Sequence, residues 1–228
     1  MIIKRKISPQ GYDIVVFDCD STLSSIEGID LLAEKHEQKE LVESITHKAM
    51  NGNHNFAKAL ALRLDIVRPR IEDMYWLGHE YIKNIVPGTK ELIHDLRKNN
   101  IEVYIISGGF EIALKIFAKY LNIKEGNVFS NILVFNELGG YQGFDKNNPL
   151  AKNHGKKKIL KELAKNKLTL FVGDGITDLE AKEDVNLFVG FGGVKVRNKV
   201  KNEADIFIEA RNLREIKQIA LGKKRLKI

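Results

Sequence analysis

The sequence predicts an α/β fold: a doubly wound, mostly parallel (Rossmann-like) sheet carrying an inserted helical cap. Three observations predict it. Short apolar runs recur, each followed by a polar or glycine-rich turn and then a helical pattern. The interval between the first and second runs is too long for one crossover helix and itself reads as helical. After the second run, strands and helices alternate. A chain of 228 residues is long enough for one full core with such an insert.

The first run, Ile14-Val15-Val16-Phe17, is continuously apolar, as a buried parallel strand should be. It ends in Asp18-Cys19-Asp20-Ser21-Thr22. Open α/β sheets bind ligands just past the C-terminal ends of their strands. Two carboxylates there are costly to hold together unless a cation or a reaction uses them. Taken alone, the stretch could also be a plain turn with two aspartates. From 24 to 84, Leu31, Leu32, Leu41, Val42 and Ile45, then Phe56, Leu60 and Leu64, recur at helical spacing. Pro87-Gly88 marks the return to the core, with Thr89 expected as N-cap of a helix carrying Leu92, Ile93 and Leu96. The expected division is a core of 1–23 and 85–228, a helical cap of 24–84, and a short basic tail at 223–228.

The second run, Val103-Tyr104-Ile105-Ile106, ends in Ser107-Gly108-Gly109 before a helix with Phe110, Ala113, Leu114, Phe117, Tyr120 and Leu121 on one face. Ser107 and the N–H groups after it are expected at that helix's N-terminus, a natural phosphate seat, although Ser107 could merely cap the helix. Ile132–Phe135 and Tyr141–Phe144 flank Gly139-Gly140 and predict a hairpin. A helix begins near Lys156. The third run, Leu168–Val172, leads into Gly173-Asp174-Gly175-Ile176-Thr177-Asp178, and short strands follow at 187–189 and 206–208.

Composition narrows the function. The net charge is +7, yet the lysines are spread along helices and do not form one patch with aromatics, so nucleic acid is not called for. A positive surface would instead help draw in an anionic substrate. No apolar run approaches the ~18 residues of a membrane span. Met1-Ile2-Ile3 runs straight into Lys4-Arg5-Lys6 without a secretory apolar region, and Cys19 is the only cysteine, so a cytoplasmic setting is expected. Cys19 does not open a C-x5-R loop, because Ser25 stands where the arginine would be. The glycines at 190–193 break off the dinucleotide pattern at Lys195, and no GxxxxGK[ST] loop occurs. Asp18, Asp20, Asp174 and Asp178 would converge at one sheet edge as an all-oxygen set, favouring Mg²⁺ over Zn²⁺. With a hydroxyl, main-chain N–H groups and Lys156, that is the equipment of phosphoryl transfer.

In the order Asp18–Thr22, Ser107–Gly109, Lys156 and Gly173–Asp178, the chain resembles the haloacid-dehalogenase-like phosphatases, matching their four motifs. A closer similarity, over roughly 13 to 208, is to the family members that hydrolyse phosphoserine. It rests on Glu27-Gly28-Ile29-Asp30, Ile105–Phe110, Leu121-Asn122-Ile123, Gly143-Phe144-Asp145 and Gly190–Gly193. Val194 departs from the family, which has a polar residue there, and Lys157 and Lys158 compete with Lys156 for the lysine's register. The resemblance implies Asp18 as nucleophile and Asp20 as the acid and then the base. It implies Mg²⁺ held by the Asp18 side chain, the Asp20 main-chain carbonyl and Asp174. Asp178 would orient Lys156 or reach the metal through water. Ser107, Gly108, Gly109 and Lys156 would hold the phosphoryl oxygens. Glu27 would take the substrate ammonium and Arg63 its carboxylate, with Met50 and Phe56 closing over it and Thr177 lining the site. The expected partner is a small phosphomonoester; a homodimer is allowed but not required. The readings left open are phosphotransfer to an alcohol such as homoserine, another small phosphomonoester as substrate, and a non-catalytic phosphate- or nucleic-acid-binding protein.

Overall fold

The computed structural model describes residues 7–50 and 56–225, with the side chains of 46–50 and 223–225 left out. In chain order the elements are β1 (Ile14–Phe17), α1 (Gly28–Lys35), α2 (Lys39–Met50), α3 (Phe56–Val67), α4 (Ile71–Lys83), α5 (Thr89–Lys98), β2 (Glu102–Phe110), α6 (Glu111–Tyr120), β3 (Val128–Asn131), β4 (Leu133–Phe135), β5 (Tyr141–Phe144), α7 (Gly155–Leu163), β6 (Thr169–Gly173), α8 (Ile176–Leu179), β7 (Leu187–Phe191), α9 (Asn198–Glu203), β8 (Ile206–Ile208) and α10 (Glu215–Arg225).

Six strands form one parallel sheet in the order β3-β2-β1-β6-β7-β8. The alternation of the strands sorts their side chains onto two faces. Val15, Phe17, Ile105, Leu170 and Val172 join the larger apolar cluster with α5, α6, α10 and the helices α1 to α4. Ile14, Val16, Ile106, Phe171 and Phe188 pack on the other face against Leu160 of α7, Leu179 of α8 and Val200 of α9. Strand β1 lies between β2 and β6, where the chain's crossovers diverge to either side. That switch point is where an open sheet leaves a crevice at its C-terminal edge. The main chain closes the crevice floor: Asp18 N donates to Val172 O at 2.9 Å.

The periodic apolar residues of the insert behave as expected at Leu32, Val42, Ile45, Leu60 and Leu64, all buried, whereas Leu41 is exposed. Helix α4 makes the insert's most extensive contact with the core. It lies along α6, with Gly78 against Ile116 and Tyr81 stacked on Phe117 at 5.8 Å between ring centres. Its N-terminus is closed by Asp73, the third helical residue, whose carboxylate accepts from Arg70 N at 2.7 Å. Asp73 also pairs with Lys35 and with His36 (Nε2–Oδ2 2.8 Å), so one buried carboxylate ties α1 to α4.

The structure corrects one expectation here and adds detail to two other segments. Thr89 is not the N-cap of α5. Gly88 is, at φ +82°, and the Thr89 hydroxyl donates to Val86 O at 2.7 Å. A Cβ on Gly88 would stand 2.1 Å from Asn212 Oδ1, so the left-handed corner and its close neighbour both require glycine. Strand β3 went unpredicted because its second half, Ser130-Asn131, is polar although buried. The hairpin forms at β4 and β5, but its turn is built by Asn136, whose Oδ1 accepts from Leu138 N (3.0 Å) and Gly140 N (2.7 Å). Met50's side chain and the side chains of the basic tail 223–228 lie outside the described residues. Among the described residues no helix is long and apolar enough to cross a membrane.

Asp73→Ala should cost about 1–2 kcal/mol of unfolding free energy near neutral pH, the range of a lost helix cap. Burial opposes the charge of Asp73, but Lys35, Arg70 N–H and His36 hold its carboxyl below the ordinary 3.8. A depressed carboxyl stabilises the fold above the unfolded value and loses that contribution as pH falls through the folded one. Denaturant titrations of the two proteins should therefore differ at neutral pH and converge below pH 3.8.

Candidate active site

The site grows from four strand ends and two insert helices. Phe17 is the last residue of β1, so Asp18 leaves the sheet directly into the crevice. Its Oδ1 accepts from Cys19 N at 2.7 Å and its Oδ2 lies 2.7 Å from Lys156 Nζ. Lys156 is the second residue of α7 and is buried. Its ammonium also donates to Asp178 Oδ1 at 2.6 Å. Asp178, the third residue of the short helix α8, turns its other oxygen back to Gly175 N at 2.9 Å. The carboxylate thus closes the helix N-terminus and fixes the lysine at once. Lys157, in contrast, is exposed, 4.0 Å from Asp184, so the geometry selects Lys156.

Ser107 and Gly108 lie on the outgoing part of β2, four and three residues before α6 begins. The expected helix-end seat is therefore replaced by an irregular strand end, where the β2–β3 register shifts between Ile106 and Phe110. Ser107 does not cap α6: its Oγ accepts from Gly109 N at 3.1 Å. Beneath this turn, buried Asn131 donates from Nδ2 to Gly108 O at 2.8 Å.

From the insert come Glu27, just before α1, and Phe56, Leu60 and Arg63 on α3. With the core residues Asp18, Asp20, Ser107, Lys156, Asp174 and Thr177 they line a cavity of about 140 Å³. Phe56 lies over Gly108. Glu27 accepts from Ser21 Oγ at 2.8 Å. Arg63 Nε donates to Ala59 O of its own helix at 3.2 Å, and no carboxylate among the described residues forms an ion pair with its guanidinium. Burial lowers the Arg63 pKa, while Asp30, Glu27 and Asp20 favour its charge. Asp20 lines the same cavity as Asp18 but serves a different partner: Tyr81 donates its hydroxyl to Asp20 Oδ1 at 2.6 Å.

Three residues at this site escaped the sequence reading: Tyr81, Arg197 and Asn131. Arg197, in the turn after β7, donates from Nε to Asp174 Oδ2 at 3.0 Å and pairs through Nη2 with Glu27 Oε1 at 3.3 Å. The signal was its place: β7 ends at the same sheet edge as β1, β2 and β6. Asn131 escaped with its strand.

Asp18, Asp174 and Asp178 bring carboxylate oxygens within 4.8 Å of one another. A donor set of oxygens only fits a hard divalent cation. The side chain of Asp20 is not in this cluster. Electrostatics match the crowding. Burial, then Glu27 and Asp18, push Asp20 well above the usual carboxylate range. Burial and Asp18 push Asp174 up to about 6 against the pull of Arg197. Burial and Asp18 push Asp178 up to about 8, while Lys156 opposes them. Burial disfavours the charge of Lys156, but Asp178 and Asp18 outweigh it and hold the ammonium above the ordinary lysine range. Those two directions conflict within one contact. The ion pair is the state the geometry supports, because both Asp178 oxygens accept from N–H donors. Such a centre can hold a metal, a phosphoryl group and a carboxylate nucleophile together.

Removing Lys156 strands two buried carboxylates. Lys156→Ala should cost about 3–5 kcal/mol of stability without added metal. Asp178→Asn in the same chain should restore part of it, because one stranded charge is gone. Strictly additive losses in a denaturation double-mutant cycle would mean the two side chains do not interact.

Residues 12–185 match the family model of haloacid dehalogenase-like hydrolases. Over 199 residues the chain is 40% identical to the phosphoserine phosphatase of Bos taurus, covering 86% of this chain and 88% of that one. Over 211 residues it is 33% identical to the phosphoserine phosphatase of Methanocaldococcus jannaschii, covering 89% and 95%. Among solved structures, one described as a phospho-aspartyl intermediate analogue of phosphoserine phosphatase superposes with a TM-score of 0.74 at 32% identity, covering 90% of this chain and 97% of the other.

Proposed function

The chain belongs to the haloacid dehalogenase-like hydrolase family and is a phosphoric monoester hydrolase, and from that premise we propose that it converts L-phosphoserine to L-serine and phosphate through an aspartyl-phosphate on Asp18. The observation that carries the substrate is the polarity of the small cavity. Asp18, Ser107 and Lys156 stand on the core side, and Glu27 and Arg63 stand on the insert side. A phosphoryl group and an amino-acid zwitterion need those two ends. The reading makes residues 24–84 a cap over a core of 1–23 and 85–228.

In the first half-reaction an Asp18 carboxylate oxygen forms a bond to phosphorus while the phosphorus–oxygen bond to serine breaks. Asp20 gives its proton to the departing serine oxygen. Its raised pKa suits a group that must start protonated. In the second half-reaction water attacks the phosphorus, Asp20 takes the water's proton, and the bond to Asp18 breaks to release phosphate. Lys156 stays charged throughout and offsets the phosphoryl oxygens, with Ser107 and the Gly108 and Gly109 N–H groups as donors. Mg²⁺ bound by Asp18, Asp174 and the Asp20 carbonyl, with Asp178 beside them, would neutralise phosphate charge. Glu27 takes the ammonium and Arg63 the carboxylate, the second a job for a planar guanidinium. Phe56 and Thr177 complete the walls.

A panel of small phosphomonoesters, assayed for phosphate release with and without Mg²⁺, excess chelator and an alcohol acceptor, tests this reading. Asp18→Asn should abolish turnover while circular dichroism stays unchanged, and chelator should remove activity that Mg²⁺ restores. Substantial turnover by the variant, or in chelator, would overturn the covalent or the metal-dependent part respectively.

Arg63 gives a sharper test of substrate. Losing one partner of a buried charge pair costs about 2–5 kcal/mol, so Arg63→Ala should reduce kcat/KM for phosphoserine roughly 30- to 4,000-fold. It should spare p-nitrophenyl phosphate, which has no carboxylate. Equal losses on both substrates would assign Arg63 to the phosphate site or to structure.

A further inference from the structure

We propose that Tyr81 is a positioning residue for Asp20: its hydroxyl fixes the carboxyl through Oδ1 and leaves Oδ2 as the oxygen that exchanges the proton. This rests on the acid–base role given to Asp20 above. Three observations carry it. First, the bond is short and directed: Tyr81 donates to Asp20 Oδ1 at 2.6 Å. A carboxyl pinned at one oxygen cannot swing about its terminal torsion, which is otherwise broad. Proton transfer requires the acid within hydrogen-bond reach of the leaving oxygen.

Second, the phenol is itself immobile. Tyr81 is completely buried, stacks on Phe117, and belongs to the helix that packs along α6. Its main-chain carbonyl also accepts from Ser24 Oγ at 3.1 Å, so the same residue anchors the loop that carries Asp20. Third, the surroundings are shaped around the hydroxyl itself. A Cβ on Gly28 would stand 2.3 Å from the Tyr81 oxygen, and one on Gly109 would stand 3.1 Å from it. Two glycines from separate elements leave the space that the O–H occupies. A tyrosine kept only for its ring would not need that space.

The consequence is selective. An alkyl phosphate such as phosphoserine needs a proton on its leaving oxygen, whereas p-nitrophenolate leaves without one. Rapid-quench kinetics on the full chain, comparing serine release with the first-turnover burst of p-nitrophenolate, separates the two demands. Tyr81→Phe should lower the phosphoserine rate roughly 10- to 100-fold, the scale of one hydrogen bond to a charged group. KM should change by less than about twofold and the aryl burst by less than about threefold. Asp20→Asn should show the same alkyl-over-aryl selectivity, more strongly. If Asp20→Asn shows no such selectivity, the acid–base reading above is what fails. If Asp20→Asn shows it and Tyr81→Phe does not, whether by losing nothing or by losing both reactions equally, the positioning role is overturned.

Gly28→Ala provides a second route should Tyr81→Phe fold poorly. The new methyl displaces the hydroxyl, so this variant should reproduce the alkyl-selective loss. In the Tyr81→Phe background, where the nearest ring carbon stands 3.3 Å from that methyl and the hydroxyl is gone, it should add little. A loss from Gly28→Ala that is as large in that background, or that falls equally on both substrates, would count against the proposal.

Discussion

The site depends on keeping buried like charges together at the C-terminal edge of one sheet. Asp18, Asp174 and Asp178 reach that edge because β1 and β6 are adjacent and end side by side. Desolvating a carboxylate costs several kcal/mol even after relaxation, and three within one cluster would not stay ionised unaided. Lys156 answers for two of them and Arg197 for the third. Counted as formal charges, the cluster with its two cations is close to neutral. A divalent cation entering together with a phosphate dianion leaves that balance unchanged. Substrate and metal together can therefore replace existing contacts without making the centre pay a new charging cost.

The division of labour follows from where each side chain originates. In the proposed reaction Asp18 and Asp20 follow β1, a strand paired on both sides, while Lys156 comes from α7. The residues proposed to recognise the rest of the substrate, Glu27 and Arg63, come from the segment inserted between β1 and β2. Three contacts join these sets: Tyr81 to Asp20, Ser21 to Glu27, and Arg197 bridging Glu27 and Asp174. On that proposal recognition and chemistry are linked by hydrogen bonds, so how the insert sits and how Asp20 is aimed are not independent.

Much of this was legible in the sequence, for a physical reason. A continuously apolar strand must be buried on both faces, so a carboxylate at its end can only be at the edge. That logic found Asp18, Asp174, Asp178 and the strand carrying Ser107. It misjudged the ending of β2, because nothing in Ser107-Gly108-Gly109 says that the strand runs on irregularly before the helix starts. It missed Tyr81, which stands at helical spacing from Met74, Leu77 and Gly78 and reads as one more core residue of α4. It missed Arg197, which stands among Lys195, Lys199 and Lys201 and is set apart only by which carboxylates face it. These functions are defined by partners distant in the chain, and a single sequence does not pair them.

The hairpin of β4 and β5 grips the corner between α3 and α4 in an unusual currency. Ile71 N donates to Gly139 O at 2.9 Å, the Arg70 guanidinium to Leu138 O at 2.7 Å, and the Arg68 guanidinium to Tyr141 O at 3.3 Å. Every acceptor on the hairpin is a main-chain carbonyl. At Leu138 the strap therefore reads main-chain shape, whereas Gly139 (φ +76°, with no room for a Cβ against Ile71) and Tyr141, whose ring centre is 5.8 Å from the Arg68 guanidinium, are fixed by identity. Leu138, which is 82% exposed, could become almost anything as a lineage diverges without loosening it. The burden of heredity falls on Gly139 and Tyr141, on the two arginines and on the Asn136 turn that presents the carbonyls. Variation should thus accumulate on the hairpin's outer surface while its backbone path is preserved, and that outer surface is where a descendant of this protein has most freedom to acquire a new neighbour.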